Sequence, residues 1–192
     1  MDSSSPATAE NQWVCEALQR YEGPLLRYTL RLLNGDLEAA RDVVQDAFVK
    51  LIQQDRSAVE DHLAPWLYRV CRNRALDRIR KEQRMQTSLP DAPNTNGRLG
   101  SSDDTHREQP AEQAQHPETR SRLLTMVADL PERQREVLRL KFQGDLSYRE
   151  IAEVMDLTVS HVGVLIHTGI QTLRQRMIGS PATARTTSTP GT

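Results

Sequence analysis

The chain has 192 residues, enough for one mid-sized domain or two small ones, and its 25 Lys and Arg against 26 Asp and Glu leave a formal net charge of −1 that on its face argues against a polyanionic partner. Only 4% of residues are aromatic, and the supply of Leu, Val, Ala, Arg and Glu favours an all-α chain over a β-sandwich or barrel. No apolar run approaches the roughly 18 residues of a membrane span. The start Met1-Asp2-Ser3-Ser4-Ser5-Pro6 has neither a basic nor an apolar leader region, so the expectation is a cytoplasmic protein with no membrane insertion.

Residues 1–12 read as a disordered N-terminus. From Trp13, apolar residues recur at Val14, Leu18, Tyr21, Leu25, Tyr28 and Leu32, the three-and-four spacing of a helix, with a break or restart expected at Gly23-Pro24. Asn34-Gly35-Asp36 is a stop-and-restart signal, Gly for a left-handed C-cap and Asp as the next N-cap. The following helix buries Leu37, Ala40, Val44, Ala47, Phe48 and Leu51 and shows Asp42, Gln45 and Asp46 on its other side. Asp55 to Ala64 reads as a loop. A third helix starts near Pro65-Trp66 and runs to about Arg84, burying Trp66 or Leu67, Val70, Cys71, Leu76 and Ile79. Residues 13–85 thus form a helical bundle. Cys15 and Cys71 lie far apart inside helical patterns and read as buried thiols, with neither a disulfide nor a metal site implied.

Composition shifts at 86–117, where Pro, Gly, Ser, Asn and Gln replace the apolar period and two basic residues face five acidic ones. This segment reads as an acidic flexible linker. The Thr/Ser/Pro-rich stretch 179–192 reads as a disordered tail. Between them, 118–178 form a second module. Leu130-Pro131-Glu132 opens a helix through Val137, Leu138, Leu140 and Phe142, and Gly144-Asp145 ends it. Ser147-Tyr148-Arg149-Glu150 is a capping box before Ile151, Ala152, Val154 and Met155. A turn at Asp156-Leu157 and a Thr158 cap then lead to a helix with Val162, Leu165, Ile166, Ile170 and Leu173. Two helices, a tight turn and a small Ala152 at their approach make a helix-turn-helix, whose second helix would offer Ser160, His161, Val164 and His167 to base edges.

The near-zero total conceals segregation. Residues 65–85 hold seven basic against two acidic residues, a net of +5, whereas 36–46 hold four acidic against one basic, a net of −3. Two faces of opposite sign on one bundle suggest two different partners, one of them polyanionic.

These motifs resemble a known family. Leu130-Pro131-Glu132-Arg133-Gln134-Arg135-Glu136-Val137-Leu138 followed by Leu146-Ser147-Tyr148-Arg149-Glu150-Ile151-Ala152 is similar to region 4 of bacterial sigma factors. Asp42-Val43-Val44-Gln45-Asp46-Ala47-Phe48, Ala64-Pro65-Trp66-Leu67-Tyr68-Arg69-Val70, Arg72-Asn73 and Ala75-Leu76-Asp77-Arg78-Ile79-Arg80 are similar to region 2. The two modules in this order, without region 3, resemble the extracytoplasmic-function (ECF) group of the sigma-70 family.

The resemblance implies an RNA polymerase sigma factor. Asp42, Gln45, Asp46 and Lys50 would bind core RNA polymerase at the β′ clamp helices, with region 4 near the β flap. Arg69, Arg72, Asn73, Asp77, Arg78, Arg80 and Lys81 would face the promoter −10 element, and the loop before Trp66 would help hold a flipped base. Arg149, Ser160, His161, Val164, His167 and Arg174 would face the −35 element as duplex DNA. The linker would thread near the RNA exit path, and an anti-sigma factor is a partner class common in the family. One departure stands out: Gly163, Leu165, Thr168 and Ile170 occupy positions where many members carry Lys or Arg.

Two other readings stay open on the residues alone. One is a free-standing helix-turn-helix transcriptional regulator. The other is an enzyme, for which the support is thin. His62, His106, His116, His161 and His167 lack metal-ligand spacing, no catalytic or phosphate-loop motif appears, and Asp42 and Asp46 suit a solvated face better than a carboxylate pair. No cofactor or metal is expected.

Overall fold

A computed structural model of the chain describes residues 6–87 and 117–178. The described residues are helices and the turns between them, with no strand among them. The expected linker and tail lie outside the described residues, save for a few positions at the linker's ends that are helical.

Helix α1, Pro6–Leu32, differs from expectation at both its start and its middle. It begins inside the stretch read as disordered, with Pro6 at its first position, where a missing N–H costs nothing. It also continues through Gly23-Pro24 without a break. An interior proline costs a helix about 3 kcal/mol, but Ala17 on one side of it and Leu25, Tyr28 and Leu33 on the other are all buried in one core. Packing of both halves outweighs the local penalty. Leu18, by contrast, is 39% exposed although its spacing placed it on the apolar stripe.

Asn34 and Gly35 then take left-handed conformations at φ 53° and 92°. Asp36 caps α2, Leu37–Ile52, by accepting from the Ala39 N–H at 3.0 Å. The face that α2 buries is Ala39, Ala40, Val43, Val44, Ala47, Phe48 and Leu51. The segment 55–64 is not a plain loop. Asp55 caps a single turn, α3, Arg56–Val59, followed by a 3₁₀ turn at Glu60–His62. Val59 is buried and anchors this turn, one apolar contact in an otherwise polar segment and hence invisible to periodicity. Helix α4, Leu63–Thr87, starts two residues before Pro65, which therefore sits in its first turn.

The second module comprises α5, Pro117–Ala128, α6, Glu132–Phe142, α7, Tyr148–Met155, and α8, Val159–Ile178. Helices α6 and α8 approach closely because position 169 is glycine: a Cβ there would lie 3.1 Å from Leu138 Cδ1. In the first module α1, α2 and α4 pack pairwise, and α4 also packs against α7. The buried apolar residues of both modules consequently form one cluster. Each fully buried side chain such as Leu25, Leu51 or Leu67 contributes roughly 1.5–3 kcal/mol. No described helix is long and apolar enough to cross a membrane.

Candidate nucleic-acid interface

Helices α2 and α4 place the two oppositely charged faces side by side. Asp42, Gln45 and Asp46 are exposed on the outer side of α2, and Lys50 is half-buried one turn further on. On α4, Arg69, Asn73, Asp77, Arg80 and Lys81 are exposed and Arg78 is partly so. Sequence reasoning treated the faces as separate, but they meet along a seam. Arg78 Nη1 reaches Asp42 Oδ2 at 3.4 Å, and Arg74 Nη2 reaches Asp46 Oδ2 at 3.6 Å. The pairs 42–78 and 46–74 count in opposite directions, so the helices run antiparallel. Two acids four apart facing two arginines four apart is a signal the sequence did contain. Along α4, Arg80 pairs with Asp77 at 3.0 Å and Arg78 with Glu82 at 3.3 Å. Exposed pairs of this kind are worth roughly 0–1 kcal/mol, so these guanidinium groups can exchange carboxylate for phosphate at little cost.

Arg72 behaves differently from the rest of its helix. Its Nε donates to Glu136 Oε1 at 2.8 Å and its Nη2 to Glu136 Oε2 at 3.4 Å. The Tyr28 hydroxyl donates to the same Glu136 Oε1 at 2.8 Å, and the Tyr28 ring meets Tyr68 edge-on with centroids 5.2 Å apart. Glu136 is only 5% exposed. Burial first, then the Glu136 charge, holds the Tyr28 hydroxyl protonated well above the usual tyrosine range. Burial would lower the Arg72 pKa, but the Glu136 hydrogen bond and charge raise it on balance. Nearby Arg139 is pushed down to about 10, by burial and then by the like charges of Arg135 and Arg31. Sequence reasoning missed this cluster, since nothing local to Arg72 points to a partner 64 positions away.

In the second module the helix-turn-helix forms as its cap residues dictate. Ser147 Oγ accepts from the Glu150 N–H at 3.3 Å while Glu150 Oε2 accepts from the Ser147 N–H at 2.7 Å, a complete capping box. Asp156 takes a left-handed conformation at φ 55° to end α7, and Thr158 Oγ1 accepts from the His161 N–H at 3.2 Å to start α8. With Val162 and Ile166 buried, Ser160, His161, Val164 and His167 are exposed on the opposite side, and Arg174 is exposed two turns beyond. Arg149 on α7 is exposed as well, 3.9 Å from Glu153. Arg176 is turned back instead, donating to the Met126 carbonyl at 3.4 Å and lying 3.9 Å from Asp129. Leu165 and Ile170, which stand where cations were expected, pack against the core. No group of His, Cys, Asp and Glu among the described residues could hold a metal ion.

Comparison with known proteins matches the Sigma-70 region 2 family over residues 18–85 and the Sigma-70, region 4 family over residues 120–173. The ECF RNA polymerase sigma factor RpoE of Cereibacter sphaeroides is 30% identical over 142 residues, covering 73% of this chain and 71% of that protein. The chain belongs to the sigma-70 family, in its ECF group. Another ECF sigma factor, SigW of Bacillus subtilis, is 27% identical over 159 residues, covering 82% of this sigma factor and 84% of its relative. An alignment of that length spans both modules, which favours a sigma factor over a free-standing helix-turn-helix regulator. The same fold occurs in a sigma factor RpoE solved in complex with the anti-sigma factor NepR from Bartonella quintana, with a TM-score of 0.59, 19% identity and coverage of 87% of this chain and 97% of that one.

Proposed function

We propose that this sigma factor binds core RNA polymerase through the outer face of α2, opens promoter DNA at the −10 element with α4, and reads the −35 element with α7 and α8, performing no catalysis itself. The observation that carries the reading is the α2–α4 seam. An exposed acidic stripe, Asp42, Gln45 and Asp46, adjoins an exposed arginine helix, so one small bundle offers separate surfaces to a basic protein and to a melted strand. Melting costs a few kcal/mol per unstacked base, which a cationic track and contacts to extruded bases must offset. Arg69, Asn73, Arg78, Arg80 and Lys81 supply that track, with the turn Arg56–His62, exposed save for its anchor Val59, ahead of half-buried Trp66 as the candidate base-holding edge. Arg149, Ser160, His161, Val164, His167 and Arg174 supply the duplex contacts. An anti-sigma factor, as found with the Bartonella quintana protein, is the expected class of regulatory partner.

The test adds the purified protein to core polymerase and a promoter library and sequences the transcripts. Promoter-dependent initiation supports the reading. Its absence, together with sequence-specific duplex binding by the chain alone, would return the free-standing regulator.

A further inference from the structure

Base edges in the major groove are told apart by a small set of side-chain partners. Arg or Lys suits guanine, Asn or Gln adenine, Asp or Glu cytosine, and an apolar side chain the methyl group of thymine. Between Val159 and His167, the N-terminal stretch of a recognition helix that reaches base edges, α8 carries no Arg, Lys, Asn, Gln, Asp or Glu. Val162 and Ile166 are buried there, and Leu165 packs against the core. The next polar residue, Thr168, donates its hydroxyl to the Val164 and Leu165 carbonyls at 2.8 and 3.2 Å. What faces outward is a stripe at helical spacing, Ser160, Val164 and His167, with His161 beside it. Val164 stands at its centre and is 58% exposed.

The fold does not account for this valine. It lies outside the core and outside the residues packed against the core. A β-branched side chain lowers helix propensity relative to Ala, and here its methyl groups are left in water. Its neighbour Gly163 has no side chain, and the Cβ it lacks would meet only Tyr148 Cε2, at 3.9 Å. Nothing at position 163 therefore holds the helix away from a surface laid against Val164. We infer that Val164 reads a thymine in the −35 element by packing its methyl groups on the thymine C5-methyl, so that this reader selects an A·T pair where a basic recognition helix would select guanine. The inference deepens the proposed function and rests on it for the placement of α8 in −35 duplex. Ser160 and His167, about one turn to either side, supply hydrogen bonds that fix the register of the helix in the groove. Neither replaces the valine, because a hydroxyl or an imidazole gains nothing from a methyl group.

Holoenzyme assembled from the full chain and core polymerase first selects templates from a library randomised across the −35 region, and the transcripts identify the element. Each thymine of that element, on either strand, is then replaced singly by deoxyuridine, which removes the C5-methyl and leaves base pairing unchanged. Transcript yield is compared at limiting holoenzyme for wild type, Val164→Ala and Val164→Arg. Position 164 stands clear of the core, so both variants keep the fold. With wild type, one uracil should lower the yield about fourfold, the worth of one buried methyl-sized group. Val164→Ala should lose about as much on the thymine template and show no further loss with uracil. Val164→Arg should move the preference at that same pair from thymine to guanine. Insensitivity of wild type to every uracil would overturn the inference. So would a Val164→Ala protein that keeps the uracil effect, or a Val164→Arg protein that still prefers thymine. Failure of the proposed function reads differently: no template yields promoter-dependent transcripts at all, and the thymine contact falls with it.

Discussion

Cys71 and Arg72 are neighbours on α4 that face different chemistry. Cys71 is fully buried, and burial pushes its thiol up to about 12, partly offset by the Thr29 hydroxyl. The sequence predicted a buried thiol here, because Cys71 falls on the apolar period of a helix. It predicted the same for Cys15, which is exposed near the N-terminal end of α1. A thiol reagent at pH 8 should therefore modify Cys15 alone in the native protein and both cysteines after denaturation. Two fast native equivalents would contradict the packing of α4. A linkage effect accompanies this. An unfolded thiol ionises near 9, whereas the folded Cys71 resists until about 12. Its contribution is thus full below pH 9 and declines as pH rises through that window, by about 1 kcal/mol between pH 9 and 10. Denaturant unfolding at the two pH values should show the loss, and Cys71→Ala should reduce the slope to the smaller part contributed by the buried Tyr28 and Tyr68 hydroxyls, which burial also raises. Arg72 shows the limit of local reading, since its assigned role follows from the basic helix around it while its actual partner is set by how two modules dock.

At the scale of elements, those whose ends are fixed by adjacent residues were legible, and those fixed by distant packing were not. The caps at Asp36, Ser147 and Thr158 and the left-handed stop at Gly35 all bind backbone groups within a few positions, so spacing alone revealed them. The passage of α1 through Pro24 and the helical turn at Val59 depend on a core the local sequence does not display. The helix-turn-helix permits a paired test. Ser147→Ala removes the acceptor for the Glu150 N–H and should cost about 1 kcal/mol, which lowers Tm by about 4–8 °C for a domain of this size. Gly163→Ala should act oppositely. A Cβ at Gly163 would find only Tyr148 Cε2, at 3.9 Å, so the gain in helix propensity, about 0.5–1 kcal/mol, is not offset by a clash. Scanning calorimetry on the two variants checks both signs. A stabilising Ser147→Ala would mean the capping box is not formed in solution.

At the scale of the whole molecule, a net charge of −1 results from segregated charge whose opposite faces partly pair across the α2–α4 seam. That seam complicates the simplest test of polymerase docking. Reversing Asp42 and Asp46 to Lys removes the proposed docking carboxylates but also sets cations against Arg78 and Arg74, so weaker binding could arise from a disturbed bundle. Two comparisons separate these effects. All four side chains are substantially exposed, so losing the pairs should cost each bundle no more than about 1 kcal/mol per pair, and repulsion at this exposure should remain similarly small. Arg74→Ala with Arg78→Ala breaks the same pairs while leaving both carboxylates in place. If α2 docks on polymerase through its acids, Asp42→Lys with Asp46→Lys should weaken core association at least tenfold with nearly unchanged Tm. The arginine variant should bind core normally and lose open-complex formation instead. Equal loss of core affinity in both would show that the seam matters only for the fold of the bundle. Unchanged affinity in the aspartate variant would remove α2 from the interface and leave the acidic stripe as a solvated partner of the arginine helix.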